Sequence, residues 1–443
     1  MLDDLLFRIV VLCIFINIIF IFYKWLKKTY IFNWRLWFVG GIIYFYIAPM
    51  LLMILYGNYQ VPLFPLKYSS EMLELRMPIL VFFLYTCFLT NILYFISRND
   101  SKHFIEVNSF NSKDLINRYS NILSFLSIAL IFLIMIKIYF SGGISQFFSS
   151  YWFNRSEEMF STLGRIPTLV LLFLLEALVI AVTACFISFN YYKKAIFNSK
   201  LICIPNLLFL IACLFFLVSS GNRISIVWAL IGFAFYSVKI SGIKSLWKLA
   251  SVALIIALPA ALWTFVRGNL LDFATATDNM NNYFDLIDAS DLIFFIAISV
   301  FEPVGPLVLI HVFNTFGLDN MLFGSSIFGG LLSNLGLTDG NQITNITVVL
   351  GQSILNDDAT SLPPGMIGEL YANFWVVGPI LFTFILIVAE ITSRDRFNTA
   401  LNKRLGPSAI SVAALASVRF PLVTFIGIFL FLLLIIFIVD RFK

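Results

Sequence analysis

Charge is scarce in this chain. Asp, Glu, Lys and Arg make up only 12% of its 443 residues, and 60% are hydrophobic, where soluble domains carry about 25% and 45–50%. A soluble globular protein is thereby excluded. Histidine is nearly absent, with His103 and His311 alone. The five cysteines (Cys13, Cys87, Cys185, Cys203, Cys213) all fall inside apolar runs and show no paired spacing. That pattern argues against a disulfide framework or a zinc site, and no metal or other cofactor is expected. Internal repeats and low-complexity tracts are also missing. The opening MLDDLLFRIV lacks a basic n-region and a small-residue cleavage site, so the first apolar run is expected to stay as a span.

What the chain has instead is a series of uncharged runs, each long enough to cross about 30 Å of hydrocarbon. Spans are expected at about 5–22, 36–56, 77–97, 120–139, 166–190, 201–219, 224–238, 249–266, 375–392, 405–418 and 421–438. This predicts an all-α polytopic membrane protein of about eleven transmembrane helices, within a range of 10–12. Twenty of the 29 Lys and Arg lie in alternate connectors, such as YKWLKKTYIFNWR and SRDRFNTALNKR, and in the tail DRFK. The positive-inside rule places those connectors in the cytoplasm, with the N-terminus outside and the C-terminus inside. The net charge of +5 is therefore a topology signal, and no nucleic-acid partner is implied.

The expected domains are residues 1–266 with spans 1–8, a long external loop over 267–374, and 375–443 with the C-terminal spans. Residues 268–374 hold eleven Asp and Glu and not one Lys or Arg. Connections of this length in an otherwise tightly looped protein are usually functional. Within the loop, DLIFFIAISVFEPVGPLVLIHVF (291–313) is interrupted by Glu302, Pro303, Gly305 and Pro306. Its two apolar halves are each too short to cross, so a re-entrant or surface-lying helical pair is expected.

Seven of the nine remaining cations are arginines, whose planar forks suit bidentate phosphate binding. Arg223 sits in the turn VSSGNRISI, Arg267 ends a span in WTFVRGNL, and Arg419 interrupts an apolar stretch in LASVRFPLV. An isolated arginine in a membrane costs about 2.5–3.5 kcal/mol on insertion scales, so such residues pair or line polar cavities. The alternative is that each marks a helix end and snorkels to headgroups. A fourth candidate, Arg155, lies in an aromatic-rich loop beside Glu157 and Glu158, which would neutralise it in a structural role.

The stretch SLPPGMIGELYANFWVVGP, 361–379, runs a rigid turn into an apolar helix that carries Glu369 near its start. Together with GGISQFF…NRSEEMFSTLGR, SSGNRIS and FVRGN, in that order over about 120–440, it resembles the bacterial O-antigen or oligosaccharide repeat-unit polymerases of the Wzy type. The N-terminal hundred residues are similar to that family in hydropathy only. The resemblance implies a GT-C-like integral glycosyltransferase on the external face of the cytoplasmic membrane, independent of metal. Donor and acceptor would be undecaprenyl-diphosphate-linked oligosaccharides. A flippase and a chain-length regulator are implied partners, beside the lipid bilayer.

On these residues that chemistry assigns Arg223, Arg267, Arg419 and Arg155 to the diphosphate, with Arg223 and Arg267 also serving catalysis. Glu369 is the candidate base, against a purely structural role as an acid favoured at a helix start. Tyr371, Asn373 and His311 are candidate sugar contacts, Tyr371 otherwise belonging to an interfacial belt and His311 to a structural hydrogen bond. Asn373 stands one turn from Glu369, so the two could bond each other. A lipid-linked oligosaccharide flippase or transporter and an O-antigen ligase are the competing functions. Charges gathered at outer span ends and one very long loop favour surface chemistry over passage.

Overall fold

The structure is a computed structural model that describes residues 2–29, 31–56, 72–97, 112–143, 154–197, 203–220, 224–242, 304–334, 346–355, 364–385 and 405–441. The described residues form helices and turns, with no strand among them. Among the described residues, six helical segments are long and apolar enough to cross a membrane: Leu5–Lys28, Trp34–Leu55, Arg76–Ser97, Ile116–Phe140, Arg165–Lys193 and Leu422–Val439. Shorter apolar helices cover Ile204–Leu217, Val227–Lys239, Gly305–Thr315 and Gly406–Ser417. The protein is an all-α membrane protein. The expected span at 249–266 lies outside the described residues, and the one at 375–392 is described as helical over 377–385 only.

Two compact units divide the chain. The first comprises residues 1–104, 301–402 and 414–426. Its helices are α1 (Leu2–Lys28), α2 (Trp34–Ile42), α3 (Ala48–Tyr56) and α4 (Met72–Ser97) in the N-terminal part. From the later part come α10 (Val304–Thr315), α11 (Ser325–Asn334), α12 (Ile346–Leu355) and α13 (Gly365–Phe374). Asn33 caps α2 by accepting from the Arg35 amide at 3.1 Å, the usual way of filling an orphan donor at a helix start.

The run 36–56, expected as one smooth helix, is instead widened in its middle. Residues Ile43–Ile47 form a π-helical segment between α2 and α3, in which the Ala48 N–H reaches back to the Ile43 carbonyl. Pro49 supplies the cause. It has no N–H to donate to the Phe45 carbonyl four residues back, and its ring would collide with that carbonyl in a regular helix. The α10 helix packs on this widened segment, on α4 and on α13. Gly305 faces that segment, where an added Cβ would meet the Tyr46 ring at 3.5 Å and the Phe45 carbonyl oxygen at 3.7 Å, ordinary contact distances. The unit's core under α13 is apolar, built from Val308, Val312, Phe316, Ile346, Leu350 and Ala372.

The second unit comprises residues 105–300, 403–413 and 427–443. It contains α5 (Ser112–Phe140), α6 (Asn154–Leu163), α7 (Arg165–Phe197), α8 (Ile204–Ser220) and α9 (Ile224–Ser241). Here α5 packs along α7 and α8, and α9 packs on α7. Asn190 and Asn206 exchange amide hydrogen bonds at 3.1 and 2.9 Å between α7 and α8, a polar fastening common between membrane helices. Two further helices, α14 (Gly406–Ser417) and α15 (Leu422–Arg441), each contribute residues to both units.

Lys137 near the end of α5 is buried, and its ammonium donates to the Ser219 carbonyl at 3.1 Å. That carbonyl is one of the four at the end of α8 that lack an intrahelical partner, where a cation is also favoured by the helix dipole. Lys137→Met is therefore expected to lower stability by about 1–3 kcal/mol through the unsatisfied carbonyl, read as a fall in Tm of the detergent-solubilised protein. An unchanged Tm would contradict this role.

Candidate functional site

Of the PPG turn expected to aim Glu369, Pro364 and Gly365 are described, and they meet two polar groups of the first unit. Gly365 adopts φ +69°, and a Cβ there would stand 2.2 Å from both the Tyr46 hydroxyl oxygen and the Val418 carbonyl oxygen. No L-side chain fits this position, in space or in backbone conformation. Tyr46, in the π segment, donates its hydroxyl hydrogen to Val418 O or Pro364 O, which lie 3.1 and 3.2 Å away. One proton thus serves two carbonyls from distant parts of the chain. The Arg419 guanidinium is close enough to act electrostatically on the same hydroxyl.

From Gly365 the α13 helix rises, and Glu369 is its fifth residue. The first-turn position expected for this acid is therefore corrected, since Glu369 lies past the turn in which its own helix dipole would help. Its carboxylate serves another helix. Oε2 accepts the Leu422 N–H at 2.5 Å, across 53 residues of sequence. Leu422 opens α15, and Pro421 before it has no N–H, so this amide is the first donor of α15 and has no intrahelical acceptor. A carboxylate at that point fills the donor and meets the positive end of the α15 dipole.

The expected bond between Glu369 and Asn373 takes a different route. The Asn373 amide donates to the Glu369 backbone carbonyl and to Ser326 Oγ, both at 2.7 Å. The Ser326 hydroxyl in turn bonds the Glu369 carboxylate. The result is a relay Asn373–Ser326–Glu369–Leu422 that ties α13, α11 and the start of α15 together. Asn373 is wholly buried, as is its Oδ1, which has no hydrogen-bond partner among the described residues.

Burial pushes the Glu369 carboxyl above its ordinary pKa range, opposed by the Leu422 N–H and the Ser326 hydroxyl. A carboxyl with a higher pKa folded than unfolded makes the folded protein bind more protons. The stability this contributes is present below the unfolded value of about 4.3 and is lost as pH rises through the folded value. Measured against Glu369→Gln, the Tm of the wild type is expected to rise as pH falls through that window. A Tm difference that is flat with pH would contradict the shift.

The remaining sequence candidates are dispersed. Tyr371 lies on α13, half-buried, with its ring edge-on to Phe313 at 4.5 Å between centroids and its hydroxyl bonded by the Trp375 indole. His311 is half-buried on α10, the helix that sends Val308 and Val312 into the core. Arg155 lies on α6. Arg223 and Arg267 lie outside the described residues, as does Glu302. Among the candidates, then, Glu369, Asn373 and Arg419 are brought to one place.

Tyr46 and Ser326 are the members that sequence reasoning missed. For Tyr46 a signal existed, since Pro49 marks an irregular turn in an apolar span and π segments often occur at functional sites. Ser326 offered none. Groups of His, Cys, Asp and Glu able to hold a metal are absent among the described residues. The chain matches no known family model, no curated protein and no solved structure.

Proposed function

We propose that the protein polymerises oligosaccharide repeat units carried on undecaprenyl diphosphate, at the external face of a bacterial cytoplasmic membrane. The observation that supports this best is a fixed arginine, Arg419, in a turn fastened on either side by Tyr46 and Glu369. The acid belongs to one of the stretches whose order resembles the repeat-unit polymerases. In this reading the acceptor's non-reducing hydroxyl oxygen forms a bond to the anomeric carbon of the donor sugar. The bond from that carbon to the diphosphate oxygen breaks with inversion, and undecaprenyl diphosphate departs.

Leaving-group charge is the main electrostatic demand of such a step. Arginines supply it, Arg419 together with Arg223, Arg267 and Arg155, because a guanidinium keeps its charge and grips two phosphate oxygens at once. The proton released by the hydroxyl passes to water at the external face, and Glu369, the base the sequence offered, is instead held by the Leu422 N–H and the Ser326 hydroxyl. Tyr371, Asn373 and His311 remain as sugar-contact candidates.

Deleting the gene in its own cell is expected to leave glycan acceptors capped with single repeat units, or to abolish capsule, while repeat units still reach the outer face. Long chains of normal length in the deletion strain would contradict the proposal. Repeat units stranded on the inner leaflet would favour a flippase instead.

A further inference from the structure

We propose that Glu369 and Tyr46 are positioning residues that set the Arg419 turn from two sides. This rests on the reading of Arg419 as a diphosphate-binding residue and gives Glu369 work other than that of a base.

The turn between α14 and α15 consists of Val418, Arg419, Phe420 and Pro421. Its near end is held by the Tyr46 hydroxyl on Val418 O at 3.1 Å, and its far end by Glu369 on the Leu422 N–H at 2.5 Å. Arg419 itself closes a turn on the end of α14 through its N–H to the Ala416 carbonyl at 3.0 Å. The two anchors come from separate elements, the π segment and α13, and a Cβ on Gly365 of α13 would collide with both the Tyr46 hydroxyl and Val418 O. Two side-chain hydrogen bonds therefore hold one residue on each side of the arginine, Val418 and Leu422. Placement at this level matters to a charged group acting on a phosphate, because a misplacement of about 1 Å can cost about 100-fold in rate.

Accessibility separates the two side chains. Glu369 is only 2% exposed and receives donors from Leu422 and Ser326, whereas Arg419 is half-exposed. Its burial closes the carboxylate to a substrate hydroxyl in this structure. The acid holds the backbone of the turn that carries the cation.

The test uses the full-length protein in lipid nanodiscs, with Glu369→Gln, Glu369→Ala, Tyr46→Phe and Arg419→Gln. Hydrogen–deuterium exchange over 414–426 reads the turn without any ligand. Glu369→Gln keeps an acceptor for the Leu422 N–H and is expected to leave exchange unchanged, while Glu369→Ala and Tyr46→Phe accelerate it. Binding of undecaprenyl diphosphate reads the clamp, with about tenfold weakening expected in Glu369→Ala, Tyr46→Phe and Arg419→Gln, and less than about threefold in Glu369→Gln.

In a repeat-unit polymerisation assay, Glu369→Gln is expected to keep kcat, while Glu369→Ala and Tyr46→Phe raise KM. Unchanged exchange in both Glu369→Ala and Tyr46→Phe would overturn the positioning roles. So would a Glu369→Gln protein that binds normally but has lost kcat, since that is the behaviour of a missing base. If Glu369→Ala fails to accumulate, Tyr46→Phe carries the same comparison. A wild type with no affinity for undecaprenyl diphosphate would refute the diphosphate reading, and the exchange result would still decide the positioning claim.

Discussion

Arg419→Gln is expected to reduce polymer formation by about 100- to 1,000-fold, the usual consequence of removing one preorganised stabiliser of developing charge. Arg419→Lys should recover part of that loss but not all. Lysine restores the charge and lacks the planar fork that holds two oxygens in one geometry. The measurement is glycan chain length at matched protein level in the cell. The expected order is wild type, then Lys, then Gln, and the same series at Arg223 and Arg267 extends it to the other arginines assigned to the diphosphate. Long polymer surviving with all three arginines neutralised would contradict a charge-based grip on the diphosphate.

The second large effect falls on stability. Gly365→Ala would drive a methyl group to 2.2 Å from two oxygen atoms while holding an L-residue at φ +69°. Overpacking of this kind costs about 1–3 kcal/mol. The left-handed conformation adds about 1–2 kcal/mol for an L-residue, and displacing the Tyr46 hydroxyl loses a hydrogen bond of about 1 kcal/mol. These are large fractions of a total stability of about 5–15 kcal/mol. The expected outcome is a protein of low yield and clearly lowered Tm. Gly317→Ala is the control, since no atom lies within 4 Å of its added Cβ. Equal Tm values for the two variants would show that the Gly365 turn is not packed as described.

Much of the architecture could be read before any coordinates, and the reason is physical. A run such as LVTFIGIFLFLLLIIFIV has one stable solution in hydrocarbon, a helix that satisfies its own backbone, and α15 takes it. The same logic delivered the helices around Leu5–Lys28, Ile116–Phe140 and Arg165–Lys193. Hydropathy is blind to local irregularity, so the π segment at Ile43–Ile47 went unread although Pro49 demanded some such adjustment. Side-chain partnerships were less legible still. Glu369 drew notice as an acid in an apolar stretch, and its nearness to the PPG turn suggested a helix-start role. The amide it meets is 53 residues away, a distance that no local pattern encodes. Asn373 was paired with Glu369 on helical spacing, yet Ser326 from α11 stands between its amide and the carboxylate. Such triads are set by how short helices pack, which one sequence does not specify.

The central claim is glycosyl transfer between two lipid-linked repeat units. It is tested most directly with the purified full-length protein in liposomes supplied with undecaprenyl-diphosphate-linked repeat units and no other enzyme, resolving the glycans by size and assaying free undecaprenyl diphosphate. The account predicts a ladder of products spaced by one repeat unit, with one undecaprenyl diphosphate released per bond formed and about 100- to 1,000-fold less from Arg419→Gln. Repeat units that remain single, or that cross the bilayer without lengthening, would contradict it.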